Sequence, residues 1–337
     1  MKCLTRGESP SDADKILSRV FWVLAILAAL VTLAGIFVIP ADDQKAAVNS
    51  ATASTHIDYP GAFLITIGLL CLMFALTEGN VVGWNRPYIP VLIVVAVLLI
   101  TAFVLWQRHL ERSSSNRAPL MRVSIFANPR FAAAQVIMLF FFAAFNNFLI
   151  YATYYYQLYE GLSVIQTTLR FIPTGIVGLI TALMSSQILG RIPGVAIMVF
   201  GCFFISLACL LFAVPIPTST SYFAYGMEAM SFSVFGADTV YPCLTLFTVQ
   251  SLPPADQAMG GGIVNAVGQF GRALGLAIAV AVETRVNLNA LAAGSSAKDA
   301  RLRSYRAVEY LSFGFGVVAM TVAGVAFYGR GVVAHKK

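Results

Sequence analysis

Charged side chains are scarce in this chain: Asp, Glu, Lys and Arg make up 11% of its 337 residues, against roughly 25% in an ordinary soluble domain. That deficit excludes a water-soluble globule. Histidine is scarcer still. His56, His109 and His335 all fall in polar connections or tails, which leaves an intramembrane metal site without imidazole ligands. Of the five cysteines, Cys71, Cys202, Cys209 and Cys243 sit inside apolar runs and Cys3 in the polar head. A thiol in such a run behaves as a small hydrophobe, which argues against a disulfide scaffold or a zinc centre. Metal-ligand clusters, nucleophile motifs and phosphate-binding loops are all missing, so an enzyme is not expected, nor any cofactor or bound metal. The net charge of +7 does not point to nucleic acid. The basic residues stand in short loops between apolar segments, where they orient a protein in the bilayer.

What the sequence has in abundance is long apolar runs. Val20 to Ile39 and Tyr88 to Trp106 carry no Asp, Glu, Lys or Arg, and each reaches the ~20 residues a helix needs to cross the hydrocarbon layer. The first run is no signal peptide, because its preceding tail mixes Lys2, Arg6, Lys15 and Arg19 with Glu8, Asp12 and Asp14, and more spans follow. Apolar runs bounded by polar or Gly/Pro-rich stretches predict about nine transmembrane helices: 20 to 40, 61 to 78, 88 to 107, 131 to 156, 165 to 189, 194 to 214, 222 to 248, 259 to 282 and 307 to 329. Membrane strands would alternate in polarity, and these runs do not, so the fold class is an all-α membrane protein. The longer connections are 41 to 60, 108 to 130 and 284 to 306, the last read as flexible around Gly294, Ser295 and Ser296. Lys and Arg divide evenly between the two sets of loops, so the excess-positive rule leaves the orientation undecided.

Polar residues at membrane depth mark the candidate substrate or proton pathway. Asp238 lies about three residues from the centre of 222 to 248, on the order of 5 Å from the bilayer midplane. It reads either as a proton-coupling or substrate-contacting carboxylate, or as a structural one bonded to a neighbouring helix. In 259 to 282, Gly261, Asn265, Gly268, Arg272 and Gly275 are spaced 4, 3, 4, 3 and share one helical face, with Gln269 beside them. Gly271 and Gly275 form a GxxxG pair, and Gly261, Gly268, Gly271 and Gly275 together read as a helix-packing set. Asp238 and Arg272 fall in consecutive spans at similar depth, so an ion pair between them is the expected arrangement; the rival arrangement has Asp238 facing a water-filled cavity and Arg272 a backbone carbonyl or another acid such as Glu228. In 131 to 156, Asn146 and Gln157 are further cavity candidates. The tyrosines Tyr151, Tyr154, Tyr155, Tyr156 and Tyr159 read as an interfacial belt or, alternatively, as the aromatic wall of a cavity. Arg170 is expected to snorkel to the interface, and Glu78, Glu228 and Glu283, at or near span ends, receive no function.

Three stretches carry a family resemblance. They are His56-Ile-Asp-Tyr-Pro-Gly-Ala-Phe with Gly68-Leu-Leu, Leu76-Thr-Glu-Gly-Asn and Gly83-Trp84; Tyr156-Gln157 with Gly161, Ser163 and Arg170-Phe-Ile-Pro173; and Asp238-Thr-Val-Tyr-Pro242 with Leu252-Pro-Pro-Ala-Asp-Gln257, Asn265-Ala-Val, Gly275-Leu and Glu283. Together these resemble the fourteen-helix drug:proton antiporter branch of the major facilitator superfamily, in particular its fungal aminotriazole-resistance-like members. The resemblance implies a chain truncated at its N-terminus. Residues 1–19 are then a polar tail, 20–40 the last helix of an otherwise missing N-terminal half, 41–130 a two-helix insert with polar loops, 131–329 a C-terminal six-helix half-bundle and 330–337 a basic tail. It further implies proton-coupled efflux of small organic compounds such as drugs, toxins or secondary metabolites, by alternating access. The partners would be a small-molecule substrate, protons and the lipid bilayer, with the plasma membrane as the location. Arg272 departs from the family pattern, which has a small or apolar residue there, so no role carries over to it. The rival readings are a membrane remnant or interaction subunit without transport, and a small-ion transporter.

Overall fold

A computed structural model describes residues 10–38, 58–83, 86–113, 119–215, 220–253 and 257–328. The tails, the connection 39–57 with His56, Trp84, Arg117 and the stretch 254–256 of the Leu252-Pro-Pro motif lie outside the described residues. The chain forms two units, Met1–Thr55 and His56–Lys337. The first unit contributes α1, Pro10–Val38, which carries the apolar stretch Phe21–Phe37.

Among its described residues the second unit is built of helices and the short connections between them. It contains α2 (Tyr59–Val82), α3 (Tyr88–Arg112), α4 (Pro129–Tyr154), α5 (Val164–Arg170), α6 (Ile172–Arg191), α7 (Gly194–Ala213), α8 (Gly226–Gln250), α9 (Gln257–Ala292) and α10 (Ala297–Ala326). Eight stretches of these are long and apolar enough to cross a membrane, α5 and most of α6 counting as one. The count differs from the expected nine by the first run, which α1 covers.

Several boundaries move for identifiable reasons. The single span expected over 165 to 189 breaks at Phe171, because Pro173 has no backbone N–H to continue the ladder and instead opens α6. At the end of α4 the chain makes a π turn, Tyr155–Tyr159. The expected long loop 284 to 306 is not a loop. α9 runs on to Ala292, Gly294 takes a left-handed φ of 80°, and Ser296 caps α10 by accepting from the Asp299 backbone N–H at 3.1 Å. Arg285, Lys298, Arg301, Arg303 and Arg306 are all helical. Arginine and lysine are good helix formers, and apolar content reports where the membrane is, not where the helix stops.

α2 and α3 form a hairpin that packs against α9. Its base is organised by Asp58, 2% exposed. The carboxylate caps α2 by accepting from the Gly61 backbone N–H at 2.9 Å. It also accepts from Trp106 Nε1 at 2.9 Å and from Gln107 Nε2 at 2.6 Å, and Gln107 in turn accepts from the Met121 backbone N–H. The His56-Ile-Asp-Tyr-Pro-Gly signature is therefore, at its aspartate, a structural clasp between the two ends of the hairpin.

The main core lies among α4, α7, α8 and α10, around Phe141, Phe148, Tyr156, Met198, Ile205 and Met230. Five candidate spans separate residue 113 from residue 295. Cysteines placed at Ser113 and Ser295 are therefore expected to react with an impermeant maleimide from opposite sides of the membrane. Labelling of both from one side would remove a crossing from this count.

Candidate functional site

A cleft of about 240 Å³ opens where α4, α8 and α9 meet. α4 supplies Met138, Phe142 and Phe145; α8 supplies Asp238 and Tyr241; α9 supplies Asn265, Gly268, Gln269 and Arg272. The geometry follows from how tightly α9 sits on α4. A Cβ on Gly271 would run into the Leu139 carbonyl, and one on Gly275 would come within 2.6 Å of the Ala143 Cβ. Asn147 Nδ2 adds a hydrogen bond to the Gly275 carbonyl at 3.2 Å. With the backbones in contact along Gly271 and Gly275, the rest of the small, polar face turns into the cleft. Gly268 lines it at ordinary contact distance from Met138 and Phe142, and Gly261 has open space where a side chain would go, so it does not join the packing set.

Inside the cleft the two charged residues are arranged differently from the expected ion pair. Arg272 lays its guanidinium over the Phe142 ring, 4.6 Å from the centroid. Phe142 stands edge-on to Tyr241 at 5.8 Å, and Tyr241 donates through its hydroxyl to Asn265 Oδ1 at 3.3 Å. Asp238 lies against Gly178 of α6, whose hydrogens leave room for the carboxylate. Among the described residues no ion pair joins Asp238 to Arg272. An arginine stacked on an aromatic face is stabilised by the ring quadrupole, by about 2 kcal/mol when desolvated. Similar depth therefore does not oblige it to pair with the nearest acid.

The structure thus brings Asp238, Arg272, Asn265 and Gln269 to one cleft and leaves Asn146 and Gln157 outside its lining. Asn146 is turned ~100° about the helix axis from Phe145. Gln157, in the π turn, lies ~18 Å farther along the chain's axis at 1.5 Å per residue.

The tyrosine-rich end of α4 is a second polar locus. Tyr151 and Tyr156 are fully buried and so cannot belong to a lipid-facing belt. Tyr156 and Tyr222 flank the Arg170 guanidinium at 4.7 Å and 5.2 Å, Glu160 pairs with it at 2.7 Å, and the Tyr222 hydroxyl donates to the Arg170 carbonyl at 2.6 Å. Arg170, expected to snorkel, is locked in a cage instead. Burial raises the Tyr222 and Tyr225 phenols above their ordinary range, with Arg170 pulling the other way on both. Tyr155 and Tyr225 share a hydrogen bond at 3.3 Å, and an open pocket beside Glu160, Arg170, Tyr222 and Lys298 gives this end access to the surroundings.

One buried acid escaped the sequence reading. Glu309 falls just inside the expected span 307 to 329 and so resembles an interfacial residue, yet α10 begins ten residues earlier and carries it into the interior. The signal was present: Tyr305, Glu309, Ser312, Gly316, Ala319 and Ala323 repeat at helical spacing and are all buried.

The profile of the Major Facilitator Superfamily matches residues 16–276. Among curated proteins, the chain is 25% identical to the low affinity ammonium transporter of Saccharomyces cerevisiae over 90% of its own length and 56% of that protein's. It is 25% identical to the aminotriazole resistance protein of the same yeast, over 96% and 56%. With efflux pump terJ of Aspergillus terreus it shares 25% identity over 91% and 56%. The chain spans about half the length of the curated relatives it matches.

Proposed function

Since this chain belongs to the Major Facilitator Superfamily and is a multi-pass membrane protein, we propose that it serves proton-coupled efflux of small organic compounds, with the α4–α8–α9 cleft as its share of the substrate path. The observation that carries this reading is the composition of the cleft. An acid, a base, two amides and a phenol converge on aromatic walls at membrane depth, where polar groups are retained chiefly to meet substrates, ions or one another. Phe142, Phe145 and Tyr241 offer surface to flat apolar compounds, Asn265 and Gln269 offer hydrogen bonds, and Asp238 can take up and release a proton through the open side of the cleft. The resemblance to efflux pump terJ and to the aminotriazole resistance protein supports an organic substrate moved outward.

The experiment is reconstitution of the chain in liposomes with an imposed pH gradient and a panel of labelled organic compounds. Gradient-dependent movement of at least one compound is expected, and Asp238→Asn should abolish that movement while the protein remains folded. Movement that survives Asp238→Asn unchanged would remove Asp238 from the proton path. No movement of any compound would favour the reading as a membrane component without transport. A small-ion carrier is the second reading, and the resemblance to the low affinity ammonium transporter favours it. It predicts movement of ammonium and of none of the organic panel.

A further inference from the structure

Among the described residues Glu309 is the acid with both carboxyl oxygens buried and without an N–H or O–H partner, where Glu228 has one such oxygen. Asp58 holds three donors, Glu160 holds Arg170, and Glu283 accepts from the Tyr151 hydroxyl at 2.7 Å. Glu309 is 2% exposed, and neither of its carboxyl oxygens meets an N–H or O–H donor among the described residues. The polar group beside it is the Cys209 thiol of α7, a weak donor at best. By the helical rise Glu309 lies ~5 Å beyond Arg306, the last basic residue of α10, so packing between helices, and not depth in the bilayer, is what encloses it.

An ionised carboxylate in that setting would need a cation or several donors, and the setting supplies neither. An acid kept only for packing would be equally well served by glutamine or leucine. The surroundings also show how a proton could arrive. Tyr305, one turn earlier on the same face and ~6 Å away along the axis, packs with Tyr151 and Val308 in a cluster that Tyr155 and Tyr159 border. Tyr155 in turn bonds the Tyr225 hydroxyl. Packed tyrosine rings thus extend from the open pocket beside Glu160 and Lys298 to Tyr305, one helical turn from the carboxyl. The titratable groups packed against this stretch of α10 are Cys209 from α7, Tyr151 and Tyr154 from α4, Tyr155 and Tyr159 from the π turn and Glu283 from α9; Tyr305, Tyr310, Arg301, Arg303 and Arg306 belong to α10 itself.

From the unpartnered carboxyl, the thiol beside it and the tyrosine approach, we propose that Glu309 is an internal proton-binding site of the carrier, filled from the tyrosine end. The proposal rests on the transport reading for its purpose and on Glu309 alone for its chemistry. One proton from water converts the carboxylate to the acid. The same proton returns to water when α10 and α7 part, with nothing oxidised or reduced. Asp238 in the cleft and Glu309 between α10 and α7 would then be separate stations, the second sensing movement of α10 against α7.

Infrared difference spectroscopy on the purified chain in lipid nanodiscs, cycled between acidic and alkaline buffer, reads the site directly. The expected result is a carbonyl band of a protonated, weakly hydrogen-bonded carboxylic acid that changes with pH, persists in Asp238→Asn and vanishes in Glu309→Gln. Cys209→Ala, which keeps the carboxyl and removes the thiol, should move the band to higher frequency and serves if Glu309→Gln does not fold. A band that ignores pH, survives Glu309→Gln or is untouched by Cys209→Ala overturns the proposal. In the reconstituted assay, Glu309→Gln should lose gradient-driven movement and retain substrate exchange without a gradient; loss of both together, or of neither, also overturns it. A wild type with the band but no moving compound sinks the transport reading and leaves the proton site standing.

Discussion

Asp58→Ala is expected to lower the stability of the folded chain by on the order of 3 kcal/mol, the sum of a lost helix cap and of buried donors left without an acceptor. The Gly61 backbone N–H, the Trp106 indole and the Gln107 amide all point at this carboxylate, and the site is closed to water. Gly61 is part of the same design, since a Cβ there would collide with both the Asp58 carboxylate and the Gln107 amide. Asp58→Asn retains an acceptor for part of the set and should fall between. Thermal unfolding in detergent, followed by size-exclusion chromatography, measures the loss, and Trp106 fluorescence reports the opening of the clasp. A variant Asp58→Ala that melts with the wild type would show that the three bonds are replaced by water.

The second large effect is expected at the seam between α9 and α4. Gly271→Val and Gly275→Val should each cost at least ~3 kcal/mol, the upper range for overpacking, because the obstruction is helix backbone and cannot rotate away. At Gly271 the obstacle is the Leu139 carbonyl, and at Gly275 the Cα and Cβ of Ala143. Gly261→Ala is the matched control on the same helix: nothing lies within 4 Å of the added carbon, and replacing a helical glycine by alanine should be neutral or stabilising by up to ~1 kcal/mol. Yield and melting temperature of the three variants in one detergent decide the matter. Equal losses at Gly261 and Gly271 would mean that the change acts through helix propensity or insertion and that the seam is unimportant. Because the seam also aligns Gly268 and Arg272 with the cleft, the valine variants should impair any substrate movement along with stability.

Much of this was legible one helix at a time. Apolar runs of membrane length located the crossings, because transfer of a helix into hydrocarbon depends on composition summed over some twenty residues. The 4, 3, 4, 3 spacing of Gly261, Asn265, Gly268, Arg272 and Gly275 identified a small, polar face on α9, because backbone geometry makes side-chain direction periodic. Where a helix ended was less legible. Arg285 to Arg306 read as a loop and proved to be two helix ends with a short turn, since charged residues leave the bilayer without leaving the helix.

Relations between helices were decided only by the tertiary structure. Periodicity carries no information on how one helix is rotated against the next, and that rotation is set by close packing at a few small residues, here Gly271 and Gly275 against Leu139 and Ala143. It turned Arg272 onto Phe142 and Asp238 toward Gly178 where charge and depth alone favoured a pair. It folded Tyr151 and Tyr156 inward from what composition presented as a belt, and it enclosed Glu309 beside Cys209. The sequence by itself determined an all-helical membrane protein and the polar face of α9. Which of those polar groups meet one another, and which acid is left alone in the interior, depended on contacts between residues far apart in the chain, and these form only when the helices pack.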